Sequence, residues 1–131
     1  MTSQPARSDV VSPRLRFRLL LGQSVAVGPG KADLLAAVAA TGSIAAAGRS
    51  MGMSYKKAWY LLDTMNRCFR EPLVEASKGG RAHGGARLTP MGEEVLARYR
   101  AIEGRAAEAF ADELAALDAL VGEEPPRTPE L

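Results

Sequence analysis

Thr41-Gly42-Ser43-Ile44-Ala45-Ala46-Ala47-Gly48-Arg49-Ser50-Met51-Gly52-Met53-Ser54-Tyr55-Lys56-Lys57-Ala58-Trp59-Tyr60 opens the stretch that decides the fold, which runs on to Gly92. Ser43 is a good N-cap, because its hydroxyl can accept from an otherwise unpaired N–H of the first turn. Ile44, Ala47 and Met51 follow at helical spacing, and Gly52 closes that helix. Ser54 caps a third helix only a few residues on. Along it Ala58, Leu62, Met65 and Phe69 recur at intervals of four, three and four. That stripe must face a core, which leaves Tyr55, Lys56, Lys57, Tyr60 and Asp63 on the outer side. Pro72 bars further extension. Two short helices joined by a glycine-containing turn, with a polar and basic outer face on the second, follow the helix-turn-helix plan.

Upstream, Gly28-Pro29-Gly30 breaks the chain, and Lys31–Ala40 is rich in strong helix formers that Thr41-Gly42 ends. Over Arg14–Gly22 a period of two puts Leu15, Phe17 and Leu19 on one face and Arg14, Arg16 and Arg18 on the other, the pattern of a half-buried strand. Downstream, Leu73–Ser77 and Ala86–Leu88 read as the strands of a hairpin around the loop Lys78–Gly85, KGGRAHGG. Thr89-Pro90 starts a last helix with a cap and a proline at its first position. Met91, Val95, Tyr99, Ile102, Ala106, Phe110, Leu114, Leu117 and Val121 then keep a three-or-four spacing, longer than one small core needs. From Ile102 on, these residues are the expected dimerisation stripe. The expected fold is mainly α with a small β hairpin: a winged helix-turn-helix plus a long C-terminal dimerisation helix. Its divisions are a disordered tail over 1–13, the winged domain over 14–88, the long helix over 89–121 and a proline-rich disordered tail over 122–131.

A length of 131 residues with 47% apolar and 24% charged residues suits one soluble domain. No run of eighteen apolar residues occurs, so no membrane span is expected, and the first residues lack a signal design. Cys68 is the only cysteine, which excludes an internal disulfide and a thiolate metal cage, and makes the cytoplasm the default location. The net charge of +2 conceals an asymmetry. Residues 1–88 hold 13 Lys/Arg against 5 Asp/Glu, and residues 89–131 hold 4 against 10. A basic front on an acidic back is expected if only the front meets a polyanion.

The major groove admits one α-helix, so an exposed helical face can present donors to base edges. Tyr55, Lys56, Lys57 and Tyr60 lie at the start of the third helix, where the helix dipole also favours phosphate. Ser43 and Ser54 are candidate phosphate contacts through hydroxyl and backbone donors. In the wing, Lys78, Arg81 and Arg87, with His83 between them, could straddle a backbone or enter the minor groove. Taken alone, that loop reads equally well as a surface hairpin. It lacks the GxxxxGK[ST] order of a nucleotide-phosphate loop. Double-stranded DNA and a second copy of the chain are the expected partners, and no cofactor or metal is expected. Catalysis has little support: His83 is the only histidine and has no neighbouring nucleophile, and Glu93-Glu94 and Asp112-Glu113 lie on different helical faces. Trp59 and Met51, Met53, Met65 and Met91 are expected in the core, and Cys68 buried or half-buried. The competing class is a winged-helix module that docks a protein through its last helix, without reading DNA.

Ala40-Thr41-Gly42-Ser43-Ile44, Gly52-Met53-Ser54-Tyr55-Lys56-Lys57-Ala58-Trp59 and Met65-Asn66 resemble the N-terminal domain of the molybdate-responsive regulators of the ModE type. The likeness continues through Leu73-Val74-Glu75, the glycine-rich wing and Leu88-Thr89-Pro90-Met91-Gly92, the last also similar to LysR-type DNA-binding domains. The resemblance implies a homodimeric repressor or activator, paired through the last helix and the first strand–helix region. It implies DNA reading by the face Ser54–Tyr60 and the wing Lys78–Arg87. Members of the family carry C-terminal oxyanion-binding domains that have no counterpart before Leu131, so molybdate is not expected to bind this chain directly.

Overall fold

The computed structural model describes residues 14–22, 25–77 and 85–122. Residues 16–102 form one compact unit. It begins with a hairpin, β1 (Leu19–Leu21) antiparallel to β2 (Val25–Val27), with Leu20 opposite Ala26. Three helices follow: α1 (Pro29–Thr41), α2 (Ile44–Ser50) and α3 (Tyr55–Cys68). The wing is β3 (Val74–Ser77) antiparallel to β4 (Gly85–Leu88), with Val74 opposite Leu88. It leads into α4 (Pro90–Ala109).

Local chemistry explains the turns. Pro29 stands in the first turn of α1, where its missing N–H is no loss. Gly42 ends α1 at φ 73, and its N–H donates to Val38 O at 2.8 Å. The Thr41 hydroxyl lies 2.8 Å from Ala37 O and 3.0 Å from Ser43 O, and fastens the turn from its other side. Nothing lies within 4 Å of a Cβ built on Gly42, so the left-handed φ alone penalises a side chain there. Gly42→Ala is therefore expected to lower stability by about 1–2 kcal/mol in urea titrations, without changing the fold. The Ser43 hydroxyl accepts from Ala46 N at 3.0 Å and the Ser54 hydroxyl from Lys57 N at 3.0 Å, so both anticipated caps are present. Thr89 caps α4 by accepting from Gly92 N at 2.9 Å, and its hydroxyl donates to Pro72 O at 2.7 Å.

The core gathers Leu34, Leu35 and Val38 of α1, Ala47 of α2, Ala58, Leu62 and Met65 of α3, and Leu73, Val74, Ala86 and Leu88 of the wing. Burying each of the larger aliphatic chains contributes about 1.5–3 kcal/mol. Met51, Met53 and Met91 pack against it half-buried, as expected of the methionines. A second cluster joins Val27, Ala32 and Tyr99 to Phe17 and Leu19. There the Phe17 and Tyr99 rings stand 5.5 Å apart, and the Tyr99 hydroxyl donates to Phe17 O at 2.8 Å.

The structure departs from the sequence reading in four places. Only Leu19–Leu21 of the anticipated strand Arg14–Gly22 pairs, and its partner β2 was not anticipated, although Leu15, Phe17 and Leu19 are half-buried and the three arginines exposed. Cys68 is exposed rather than buried, because its neighbour Phe69 takes the core-facing position. Trp59 is 46% exposed, because Ala58, Leu62 and Met65 already fill the buried face of α3. The last helix is not continuous: Phe110, at φ −109 and ψ 16, separates α4 from α5 (Ala111–Asp118). Asp112 and Glu113 then fall in the first turn of α5, where carboxylates complement the helix dipole. Residues 103–122 belong to a second unit. No helix among the described residues is long and apolar enough to cross a membrane.

Candidate nucleic-acid interface

The Ser54 cap fixes where α3 starts, and the stripe Ala58, Leu62, Met65 fixes its rotation. With successive residues about 100° apart, Lys56 and Tyr60 then point directly away from the core. Tyr55 is 56% and Tyr60 60% exposed, and Lys56 and Lys57 are also exposed. All four anticipated residues are accessible, Lys56 and Tyr60 on the outward face and Tyr55 and Lys57 on its two flanks, at the end of α3 where backbone N–H groups point outward.

The two flanks of α3 differ in chemistry. On one, Lys57 lines a shallow groove of about 400 Å³ with Arg18, Lys31 and the Gly28–Gly30 turn, so three cationic side chains from three segments converge. On the other, Tyr55, Trp59 and Asp63 face the wing residues Glu75, Ala76 and Ala86 across a groove of about 280 Å³. The carboxylates of this second flank are held in ion pairs, Asp63 with Arg67 at 3.0 Å and Glu75 with Arg87 at 2.9 Å. Arg87, anticipated as a wing contact, is thus exposed and engaged by the cross-strand glutamate.

The wing is anchored at both ends. Ala86 N donates to Gly42 O at 2.9 Å and ties β4 to the turn between α1 and α2. At the root of β3, Asn66 Oδ1 accepts from Leu73 N at 2.8 Å and Val74 N at 3.1 Å, and its Nδ2 donates to Val74 O at 3.2 Å. In the sequence, Asn66 stands out only through the resemblance that Met65-Asn66 carries. The clamp needs an amide that donates and accepts at once, and the partner backbone lies seven and eight residues away, beyond helical spacing rules.

Of the other anticipated residues, Ser43 and Ser54 sit at the starts of α2 and α3 with their hydroxyl oxygens used as caps. A hydroxyl that accepts a cap bond keeps its proton to donate elsewhere. Lys78, Arg81 and His83 lie outside the described residues. Of the anticipated dimerisation residues, Ile102 is 42% exposed in α4. Within 103–122, Ala106 and Leu114 are half-buried, whereas Phe110, Leu117 and Val121 are at least half exposed. Arg18 and Lys31 were not singled out by the sequence; only the alternation over 14–19 signalled that Arg18 would reach solvent.

Comparison with known proteins agrees with this geometry. The model of bacterial regulatory helix-turn-helix proteins of the lysR family matches residues 31–93. The chain is 49% identical over 82 residues to the molybdenum-pterin-binding protein MopB of Rhodobacter capsulatus, covering 63% of this chain and 30% of that protein. It is 41% identical over 92 residues to the molybdenum transport protein ModE of Azotobacter vinelandii, covering 67% and 34% respectively. It is 37% identical over 81 residues to the DNA-binding transcriptional dual regulator ModE of Escherichia coli K12, covering 62% and 31%. The chain thus spans about a third of the length of these relatives. The matched family is one of regulatory proteins rather than enzymes. Residues 31–93 thus match the helix-turn-helix domain of the lysR family, and MopB and ModE proteins are similar to the chain over this part.

Proposed function

We propose that the chain is a sequence-specific DNA-binding transcriptional regulator, acting in the cytoplasm as a homodimer on a two-fold symmetric operator. The observation that carries this reading is the outward face of α3, where Lys56 and Tyr60 stand exposed on a helix whose opposite face is locked in the core. Lys56 suits a guanine edge, and the tyrosine hydroxyls donate and accept toward either base or backbone. Lys57, grouped with Arg18 and Lys31, takes the role of a phosphate contact beside the reading face. The anticipated wing residues Lys78, Arg81 and His83 would add further contacts to the DNA. Self-association would cover the apolar side chains of Phe110, Leu117 and Val121. The link to molybdenum rests on the names of the relatives, one of them a DNA-binding regulator.

Selection of tight binders from a random duplex library tests this reading. The expected result is a recurring, two-fold symmetric sequence whose half-sites lie roughly 34 Å apart, one helical turn. Recovery of no preferred sequence would overturn the reading and leave a protein-docking module. A recurring but asymmetric sequence would overturn its dimeric part.

Lys57→Ala is expected to weaken binding to selected and scrambled duplexes alike, and to reduce the slope of log affinity against log salt by about one. Fluorescence anisotropy at several salt concentrations measures both. A loss confined to the selected sequence would make Lys57 a base reader instead.

A further inference from the structure

The only tryptophan of the chain lies on the reading helix and is 46% exposed, although an indole is among the costliest side chains to leave in water. Trp59 stands one turn beyond Tyr55 and one turn before Asp63, on the flank that faces the wing across a groove. Ile44, Leu62, Ala76 and Ala86 give that groove an apolar floor. Among the described residues this flank has no excess of positive charge to offer a phosphate, since Asp63 and Glu75 balance Arg67 and Arg87. The cationic flank of Lys57, Arg18 and Lys31 is the opposite one.

We propose that Trp59 is a base-reading residue whose exposed indole packs on the 5-methyl group of a thymine in the major groove. The inference rests on the DNA-binding reading above and names one position of the operator. An indole carries a single N–H and is otherwise apolar, and the thymine methyl is the apolar group that base edges display in that groove. Contact between them removes both from water, whereas a phosphate against the same ring would lose hydration and gain one hydrogen bond at most. Tyr55, one turn earlier, supplies a hydroxyl to the neighbouring position, so the flank selects by shape and methyl contact where Lys56 selects by charge.

Replacing each thymine of the selected operator by uracil removes only the methyl group. The wild-type chain is expected to lose affinity about fourfold at one position per half-site, the equivalent of roughly 0.8 kcal/mol for one buried methyl. Trp59→Ala should bind thymine and uracil equally at that position. Where Trp59→Ala lowers the melting temperature, Trp59→Gln, which keeps more of the volume, serves instead. The wild-type chain supplies a further readout, because all indole emission comes from Trp59. That emission should change on binding the operator, and differently with uracil at the sensitive position. Indifference of the wild-type chain to every uracil, or unaltered emission in the specific complex, would overturn the inference and leave DNA binding intact. Absence of any preferred sequence would overturn both.

Discussion

Gly92→Ala is expected to destabilise the chain by about 3–5 kcal/mol, a large share of the 5–15 kcal/mol typical of a small domain. A Cβ at this position would meet the backbone of Leu73, at 2.9 Å from its carbonyl carbon and 3.2 Å from its Cα, and would lie closer still to its oxygen. The obstacle cannot swing aside as a side chain would. Leu73 O accepts from Thr89 N at 2.9 Å, and Leu73 N donates to Asn66 at 2.8 Å. Relief would require moving β3 or the start of α4, and either shift disturbs the buried Leu73, Val74 and Leu88. Gly104→Ala is the control. It lies in the same helix with nothing within 4 Å of the added Cβ, and alanine's better helix propensity should stabilise it by up to ~1 kcal/mol. Urea denaturation of the two variants should therefore show shifts of opposite sign. A Gly92→Ala protein as stable as wild type would refute the close approach.

Asn66→Ala carries the second large effect. It strips partners from the N–H groups of Leu73 and Val74 and from Val74 O, all at the root of the wing beside the core. An unsatisfied buried backbone group costs about 1–3 kcal/mol, and partial access of water shares the loss, so roughly 2–4 kcal/mol is expected in total. Asn66→Asp keeps an acceptor for both N–H groups and loses only the donor to Val74 O. It should retain more of the stability than Asn66→Ala. Hydrogen exchange of the Leu73 and Val74 amides separates a local effect from a global one: both should exchange faster in Asn66→Ala than its global stability accounts for. Equal losses for the two variants would show that the amide acts by volume rather than by its bonds.

Features set by neighbouring residues were legible in the sequence. Ser43, Ser54 and Thr89 cap because a hydroxyl three residues before an unpaired N–H reaches it in any helix, and Ala58, Leu62 and Met65 are buried because their spacing allows one common face. Features set by distant partners were not. Val25–Val27 is too short to show a period, so the hairpin with Leu19–Leu21 left no mark. Nor does any glycine or proline announce the change of backbone at Phe110. Trp59 was expected inside on hydrophobicity alone, yet it stands about 100° round the helix from Ala58, and the face that Ala58 shares was already full. The exposed face of α3 was legible because it is the complement of the buried stripe. The convergence of Arg18 and Lys31 on Lys57 joins three separate segments and required the tertiary structure.

In the proposed function α3 reads base sequence through its outward face. The direct test is the ratio of affinities for the selected and the scrambled duplex, at one fixed salt concentration, in wild type and in a Lys56→Ala/Tyr60→Ala double variant. Both side chains are exposed, so the melting temperature should hardly move. The ratio is expected to fall by at least tenfold, in line with about 1–3 kcal/mol for each base contact removed, while binding to scrambled DNA falls far less. An unchanged ratio in a folded double variant would contradict the account.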